Sequence, residues 1–157
     1  MKNKKLLMAS VVVVLLFVFL TTMTPSFHDK YFGMAKYEST AVGSLKKINT
    51  LESQFASSHP QKGFACELPS LRQASEADSA YDPTVAFLNG TWRGYRFAVA
   101  SCVVSPNGIA TQYEITATPV RPYATGVRAF CTDQSGKLFY DLSGSASKCL
   151  SGRLPLP

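Results

Sequence analysis

Residues 34–58 read MAKYESTAVGSLKKINTLESQFASS, and this stretch decides the fold. Its apolar side chains recur every three or four residues, which places them on one face of an α-helix. We therefore predict a helix over about residues 30–58, ending before Pro60 because proline disfavours helical geometry at the residue that precedes it. The stripe that should pack against the rest of the domain is Ala41, Leu45, Ile48, Leu51 and Phe55. The polar residues expected to lie mostly off this stripe are Lys46, Lys47, Asn49, Glu52 and Ser53.

An uncharged apolar run, LLMASVVVVLLFVFL over residues 6–20, precedes this helix and directly follows Lys2, Lys4 and Lys5. With residues 21–24 it is 19 residues long, and as a helix it would cover roughly 28 Å, close to the hydrocarbon core of a bilayer. The lysines should keep the N-terminus cytoplasmic and send the rest of the chain outward. We predict that residues 1–24 form a basic tip and a membrane anchor, whose residues include Leu6, Val12, Leu16 and Leu20.

A cleaved signal peptide is the alternative for this run, because it also combines a basic segment with an apolar one. The residues after the run, Leu20 to Ser26, contain no Ala-x-Ala pattern, which favours a retained anchor. Residues 25–157 are then one exterior domain of modest size. That domain has 13 of the 16 basic residues against all 10 acidic ones, a net charge of +3 that is too weak and dispersed to indicate nucleic acid.

The rest of the exterior domain divides into a loop region and a sheet. Residues 59–93 have little periodicity, and we expect them to form loops with a short helix at 68–73. Alternating patterns at 95–101, 112–120, 127–132 and 137–142, separated by turn residues, predict four short antiparallel strands within 94–157. The helical stripe would cover this sheet. The predicted fold class is α+β, with a long N-terminal helix on a small antiparallel meander.

The four cysteines, Cys66, Cys102, Cys131 and Cys149, all lie in the exterior domain. An even number in an oxidising compartment favours two disulfides over zinc, because no pair has C-x-x-C spacing and no histidine is close in sequence. Three pairings are open, and we favour Cys66 with Cys102 and Cys131 with Cys149, which join neighbours along the chain.

Residues with potential chemistry are few, and each has a simpler interpretation. His28 and His59 lack partners at the spacing that catalysis or metal binding requires. Glu76 and Asp78 lie in a polar stretch that should be solvated. Trp92, Tyr95 and Phe97, with Arg93 and Arg96 between them, are either a binding surface or core aromatics with the arginines on the opposite face. We predict no enzyme activity, no cofactor, no metal and no small-molecule substrate.

Residues 37–68, YESTAVGSLKKINTLESQFASSHPQKGFACEL, closely resemble the segment after the membrane helix of type IV pilin-like proteins, a family that includes type II secretion pseudopilins. Those proteins have an E-x-x-A-V-G-S-L-[RK]-x-I-N-T block, which residues 38–50 match, and then a G-F-A segment, which residues 63–65 match. Residues 113–119 and 126–141 are similar to the family's sheet and its Phe-Cys-x-Asp-Gln-x-Gly hairpin. The resemblance covers about residues 37–149 and implies a pilin-like fold.

The resemblance implies a membrane-anchored structural or interaction protein, a subunit or accessory of a type IV pilus or type II secretion-like system. Its partners would be the membrane and other pilin-like subunits or machinery proteins. The location would be a bacterial inner membrane, crossed once, with the head periplasmic or extracellular. The N-terminal segment departs from the family, since no Gly precedes Gly33 and no acidic residue precedes Asp29. We therefore expect no prepilin peptidase cleavage. The alternative function is a singly tethered periplasmic binding module that does not assemble into filaments.

Overall fold

The predicted amphipathic helix, α1, covers residues 32–58 of the computed structural model, which describes residues 32–74 and 83–157. The helix ends at Ser58, as Pro60 predicts, and the chain turns immediately afterwards. The His59 amide donates to the Phe55 carbonyl, and the amides of Lys62 and Gly63 donate to the His59 carbonyl. These bonds satisfy carbonyls at the end of the helix and direct the chain back toward the sheet.

The predicted packing stripe is the buried face of α1. Leu45, Ile48 and Leu51 are fully buried, and Ala41 and Phe55 are at most 4% exposed. Lys46, Lys47 and Ser53 are exposed, and Asn49 is half-buried. One residue expected off the stripe is not: Glu52 is completely buried. The segment after the helix folds back over this position, which helical periodicity alone does not show.

Six antiparallel strands form one sheet in the order of the chain. They are β1 (Thr91–Trp92), β2 (Tyr95–Val104), β3 (Ala110–Pro119), β4 (Ala129–Asp133), β5 (Leu138–Asp141) and β6 (Leu154–Pro155). The four predicted strands correspond to β2–β5, and the predicted meander is confirmed. The sheet also gains β1 and β6 at its edges. Each has only two residues, too few for an alternating pattern to be visible in the sequence.

The sheet is covered on both faces. Tyr95, Phe97 and Phe130 pack into the cluster that contains the α1 stripe, whereas Ala129 and Cys131 pack with Cys149 of a short helix on the other side. That helix, α2 (Ala146–Gly152), has Ser145 as its N-cap residue. Because both faces are covered, all five residues of β4 are buried. The burial of Tyr95 and Phe97, with Arg96 exposed between them, fits core aromatics rather than a binding surface.

The described parts of the segment between α1 and the sheet contain more helix than predicted. A 3₁₀ helix occupies Leu68–Ala74, where a short helix was expected, and a second 3₁₀ helix at Pro83–Asn89 was not expected. Together they bury a group of apolar side chains in the main core: Leu68, Leu71, Val85, Phe87 and Leu88. The periodicity of a short 3₁₀ turn is too brief to detect in sequence.

Two disulfides join Cys66 to Cys102 and Cys131 to Cys149, so the favoured pairing is confirmed. The first joins the segment after α1 to β2, and the second joins β4 to α2. Each closes a loop of tens of residues, which stabilises the folded state by about 3–4 kcal/mol through the lost freedom of the unfolded chain.

Substitution Leu45→Ala should lower the free energy of unfolding by about 3 kcal/mol, because it opens a cavity where α1 contacts the sheet. Lys46→Ala is the matched control. It lies one residue further along the same helix, is exposed, and should change stability by less than about 0.5 kcal/mol. Urea denaturation of the oxidised protein measures both values. Equal effects of the two substitutions would contradict the assignment of the buried face.

Candidate functional site

Two carboxylates on α1 point into the protein instead of into solvent. Glu38 and Glu52 are fourteen residues apart, which is close to four turns and places them on the same side of the helix. Both are buried, with 8% and 0% of the residue exposed. Their surroundings differ, and the difference decides which protonation state each one holds.

The Glu38 carboxylate binds the segment that leads into β4. One oxygen accepts the amide N–H groups of Val127 at 2.8 Å and Arg128 at 3.1 Å, and the other accepts the Arg128 guanidinium Nε at 2.8 Å. A second guanidinium nitrogen completes an ion pair at 2.8 Å. Burial opposes ionisation, but these donors outweigh it and hold the pKa of Glu38 below its ordinary value. Glu38 is therefore an ionised clamp between α1 and the sheet.

The Glu52 carboxyl group has much less support. Its Oε2 accepts the Ala65 amide N–H at 2.8 Å, and its Oε1 has no hydrogen-bond partner in the described structure. Burial raises the pKa of Glu52 to about 7, and the Ala65 amide offsets this only in part. The buried Glu52 therefore keeps its proton to a much higher pH than an exposed glutamate does. It connects α1 to the chain just before the Cys66–Cys102 disulfide.

A neutral network lies between the two carboxylates. The Tyr113 hydroxyl donates to the Asn49 side-chain oxygen at 3.0 Å. The Asn49 amide nitrogen donates to the Thr132 hydroxyl at 2.8 Å and to the Gly136 carbonyl at 3.2 Å. One helix residue thus reaches β3, β4 and the β4–β5 turn. The helical pattern predicts Asn49 off the stripe and indicates no role for it, although the residue belongs to the block that carries the pilin-like resemblance.

A cluster of three charges joins the end of α2 to the sheet. Arg153 pairs with Glu114 at 2.8 Å and also with Asp133. Desolvation opposes the charge on Asp133, but hydrogen bonds from Ser135 and Arg153 hold its pKa below the ordinary value. Arg153 is in the left-handed backbone region, with φ of 46°. Both carboxylates contact Arg153, so the cluster holds β3, β4 and the end of α2 together.

The remaining candidates from the sequence are structural or lie elsewhere. The His59 ring stacks on Phe55 with centroids 4.4 Å apart, and its Nδ1 lies 3.1 Å from the Phe55 carbonyl oxygen, so it sits over the end of α1. Within residues 32–74 and 83–157, His, Cys, Asp and Glu form no group of three that could hold a metal ion. His28, Glu76 and Asp78 lie outside the described residues.

The predicted anchor, with Leu6, Val12, Leu16 and Leu20, also lies outside the described residues. In the part of the chain that the structure describes, no helix has both the length and the apolar composition needed to cross a membrane.

Two surfaces of the described head remain open for contacts. The outward face of α1 is polar and consists mainly of small residues, and its hydroxyl groups donate to carbonyls of the same helix, as Thr50 does to Lys46 and Ser53 to Asn49. The second surface is the outer edge of β2. β1 pairs with its first two residues and Gly90 with Phe97, and no other described strand pairs with that edge.

Substitution Glu52→Gln should raise the free energy of unfolding at pH 8 by up to about 3 kcal/mol, because it removes the need to bury an ionised carboxylate. A pKa raised from 4.5 to about 7 means that the folded state binds the extra proton, so the parent loses stability as pH rises between those values. The two proteins should converge near pH 4.5. Urea denaturation across this range measures the difference, with the exposed Glu67→Gln as control. A parent–variant difference that does not change with pH would contradict the burial of Glu52.

Substitution Glu38→Gln should have the opposite pH dependence. A lowered pKa stabilises the folded state above the ordinary carboxyl pKa, and this contribution disappears as pH falls through the folded value. We expect a loss of about 1–2 kcal/mol at pH 7, because charge-assisted hydrogen bonds to Val127 and Arg128 become neutral ones. The loss should shrink toward pH 3 in the same urea experiments. A loss that grows on acidification would show that Glu38 is not ionised in the fold.

No family model, curated protein or solved structure matches this chain. The α+β arrangement of α1 on a six-stranded antiparallel sheet is established by the structure itself. The features of this chain that bear on its function are the apolar run, the helix α1 that Glu38 holds to the sheet, and the exposed surfaces of the head.

Proposed function

We propose that this chain is a membrane-anchored structural or interaction protein with a pilin-like head, a subunit or accessory of a type IV pilus or type II secretion-like system. The observation that carries the proposal is the form of α1. A 27-residue helix is held to a small antiparallel meander along one face, and 11 residues separate its first described residue from an apolar run. A helix of this kind joins an anchor to a head and leaves a polar face free for partners.

The N-terminal residues support a location at a bacterial inner membrane. The run over residues 6–20 has no charge and follows three lysines, which favours a single crossing with a cytoplasmic N-terminus. The head would then be periplasmic or extracellular. Two disulfides support a head that folds in an oxidising compartment.

The outward face of α1 supports a role in contacts between helices. Lys46, Thr50 and Ser53 are exposed on it, and the hydroxyl groups of Thr50 and Ser53 are satisfied within the helix. Such hydroxyl groups can approach another helix without being left unpaired, whereas the Lys46 ammonium group needs water or an acidic partner there. Glu38 and Glu52, by contrast, make their contacts within the head. The surface we propose for partners is therefore the outward face of α1.

The alternative proposal is a singly tethered binding module with the same head. It is favoured by the apolar run, which contains no acidic residue between Leu6 and Leu20. A charged group in hydrocarbon is costly unless it is paired, so such a residue would draw another subunit's helix toward it. Without one, the run has only apolar packing to offer to a neighbouring helix.

The two proposals differ in where the chain is found and in its N-terminus. Intact mass and N-terminal sequencing should be carried out on the sheared surface fraction and on the inner-membrane fraction of cells that express the full chain. A filament subunit should occur in the sheared fraction, and an N-terminus trimmed near Lys5 there would also overturn the expectation that prepilin peptidase does not cleave this chain. A tethered module should occur only in the membrane fraction at full length, and that result would contradict the filament proposal.

The anchor itself can be tested with substitutions inside the run. The pair Val12→Arg and Leu16→Arg places two charges on one face and should move the protein out of the carbonate-resistant membrane fraction, since each central arginine disfavours insertion by about 2.5–3.5 kcal/mol. The matched pair Val12→Leu and Leu16→Val should remain there. A parent protein that is soluble and begins near Ser26 would show that the run is a cleaved signal peptide.

A further inference from the structure

Three turns meet at one end of the sheet, at residues 93–94, 120–126 and 142–144, and we call them the basal turns. The Val120 amide donates to the Gly94 carbonyl at 2.9 Å. Gly94 packs closely against Thr125, because a Cβ atom at residue 94 would lie only 2.7 Å from the Thr125 side chain. Gly144 packs closely against Val127, because a Cβ atom at residue 144 would lie only 2.7 Å from the Val127 carbonyl oxygen. The turns are thus in contact or close neighbours, and together they form one continuous surface.

The basal turns expose apolar and basic side chains together. Three of the seven large apolar residues exposed in the described structure lie here: Val120 at 43%, Leu142 at 65% and Tyr123 at 68%. Arg93 and Arg121 are exposed beside them. The basal turns contain no Asp or Glu. Of the nearby carboxylates, Glu38 is paired with Arg128, and Asp141 accepts hydrogen bonds from Ser143 and Ser145. The basal turns themselves therefore carry two positive side chains and no negative one, with apolar projections beside them, and the ionised Asp141 directly precedes Leu142.

The longest basal turn is preformed by its own hydrogen bonds. The Tyr123 amide donates to the Gly126 carbonyl at 2.8 Å, and the Thr125 amide donates to the Arg121 carbonyl at 2.9 Å. The Arg121 amide donates in turn to the Thr125 hydroxyl. Tyr123 has φ of 61°, an unusual backbone conformation for an aromatic residue. These bonds hold its side chain in solvent, so a partner would bind it without first ordering the turn.

The basal turns lie at the end of the sheet next to the beginning of α1. Glu38, near that beginning, binds Val127 and Arg128, which directly follow the longest basal turn. At the other end of α1, Phe55 and the following segment lie beside the β2–β3 hairpin, where Phe64 bonds to Ala110. Only 14 residue steps separate Leu20 from Met34, so the chain can extend no more than about 50 Å between them. An anchor in the apolar run would keep this end of the head within about 50 Å of the bilayer.

We propose that the basal turns bind the anionic phospholipid surface of the membrane in which the chain is anchored. Arginine side chains attract anionic headgroups, and Tyr, Val and Leu side chains insert at the boundary between headgroups and acyl chains. The short tether raises the effective concentration of that surface, so weak contacts suffice to hold the head down. This inference rests on the proposed membrane anchor and adds an orientation for the head.

The test uses the full chain reconstituted into vesicles of equal parts phosphatidylcholine and phosphatidylglycerol. Tyr123→Cys is labelled with an environment-sensitive fluorophore without reductant, so that both disulfides stay closed. Val103→Cys is the matched control, an exposed apolar residue on β2 toward the opposite end of the sheet. Leu142→Cys provides a second basal position if the Tyr123 substitution alters its turn. Lipids with a spin label at the headgroup then quench each fluorophore.

We expect quenching at residues 123 and 142 to exceed that at residue 103 several-fold. The excess should fall when Arg93→Gln and Arg121→Gln are combined, and also in vesicles of phosphatidylcholine alone. Equal quenching at the basal positions and at residue 103 in protein that floats with the vesicles would overturn the inference and leave the anchor intact. Protein that does not float with vesicles would instead contradict the proposed anchor. An excess that is the same in neutral vesicles would overturn the anionic part of the inference.

Discussion

The packing of α1 across the sheet is the constraint on which the rest of the structure depends. Leu45, Ile48 and Leu51 are completely buried, and each fully buried side chain of this kind contributes about 1.5–3 kcal/mol of hydrophobic stabilisation. Neither layer is stable by itself, because the apolar stripe of the helix and the apolar face of the meander would both be exposed to water. Once they are joined, the direction of α1 along β4 determines which side chains are in contact. Glu38 binds Arg128, just before β4, and Asn49 binds Thr132, near its end.

The polar residues on the buried side of α1 add specificity to this apolar contact. Glu38 is ionised and fully paired, whereas Glu52 has one amide donor and an oxygen without a partner in the described structure. The contributions of the two carboxylates to the free energy of unfolding therefore change with pH in opposite directions, although both lie on the same helix face. Asn49 between them contributes neutral hydrogen bonds that set the register of the helix against the sheet. An apolar stripe alone would tolerate a shift of one turn, and these contacts do not.

The proposed function is contact with a membrane and with other proteins. Two disulfides close the head, and the outward face of α1 is polar. The proposed contact of the basal turns with lipid would limit how the head tilts on its tether. It would also decide whether the outward face of α1 or the open edge of β2 is presented to a partner.

Much of this architecture could be predicted from the sequence, because long periodic patterns record which side of an element is buried. The pattern in residues 34–58 predicts α1, its end at Ser58 and its packing stripe, and alternation predicts β2–β5 in meander order. The favoured cysteine pairing also follows the order of the chain. The anchor and the pilin-like function remain predictions that depend on residues and a resemblance beyond the described fold.

Only the tertiary structure decided the rest, since those features arise from contacts between segments far apart in sequence. Glu52 is buried because the chain at Ala65 folds over it. Glu38 joins α1 to the sheet because the fold brings the start of β4, 91 residues further along the chain, next to it. β1, β6 and the second 3₁₀ helix are too short to leave a periodic pattern, and neighbouring strands or core contacts stabilise them. The basal turns are three separate stretches in the sequence, and they become one surface only when the sheet brings its loops together.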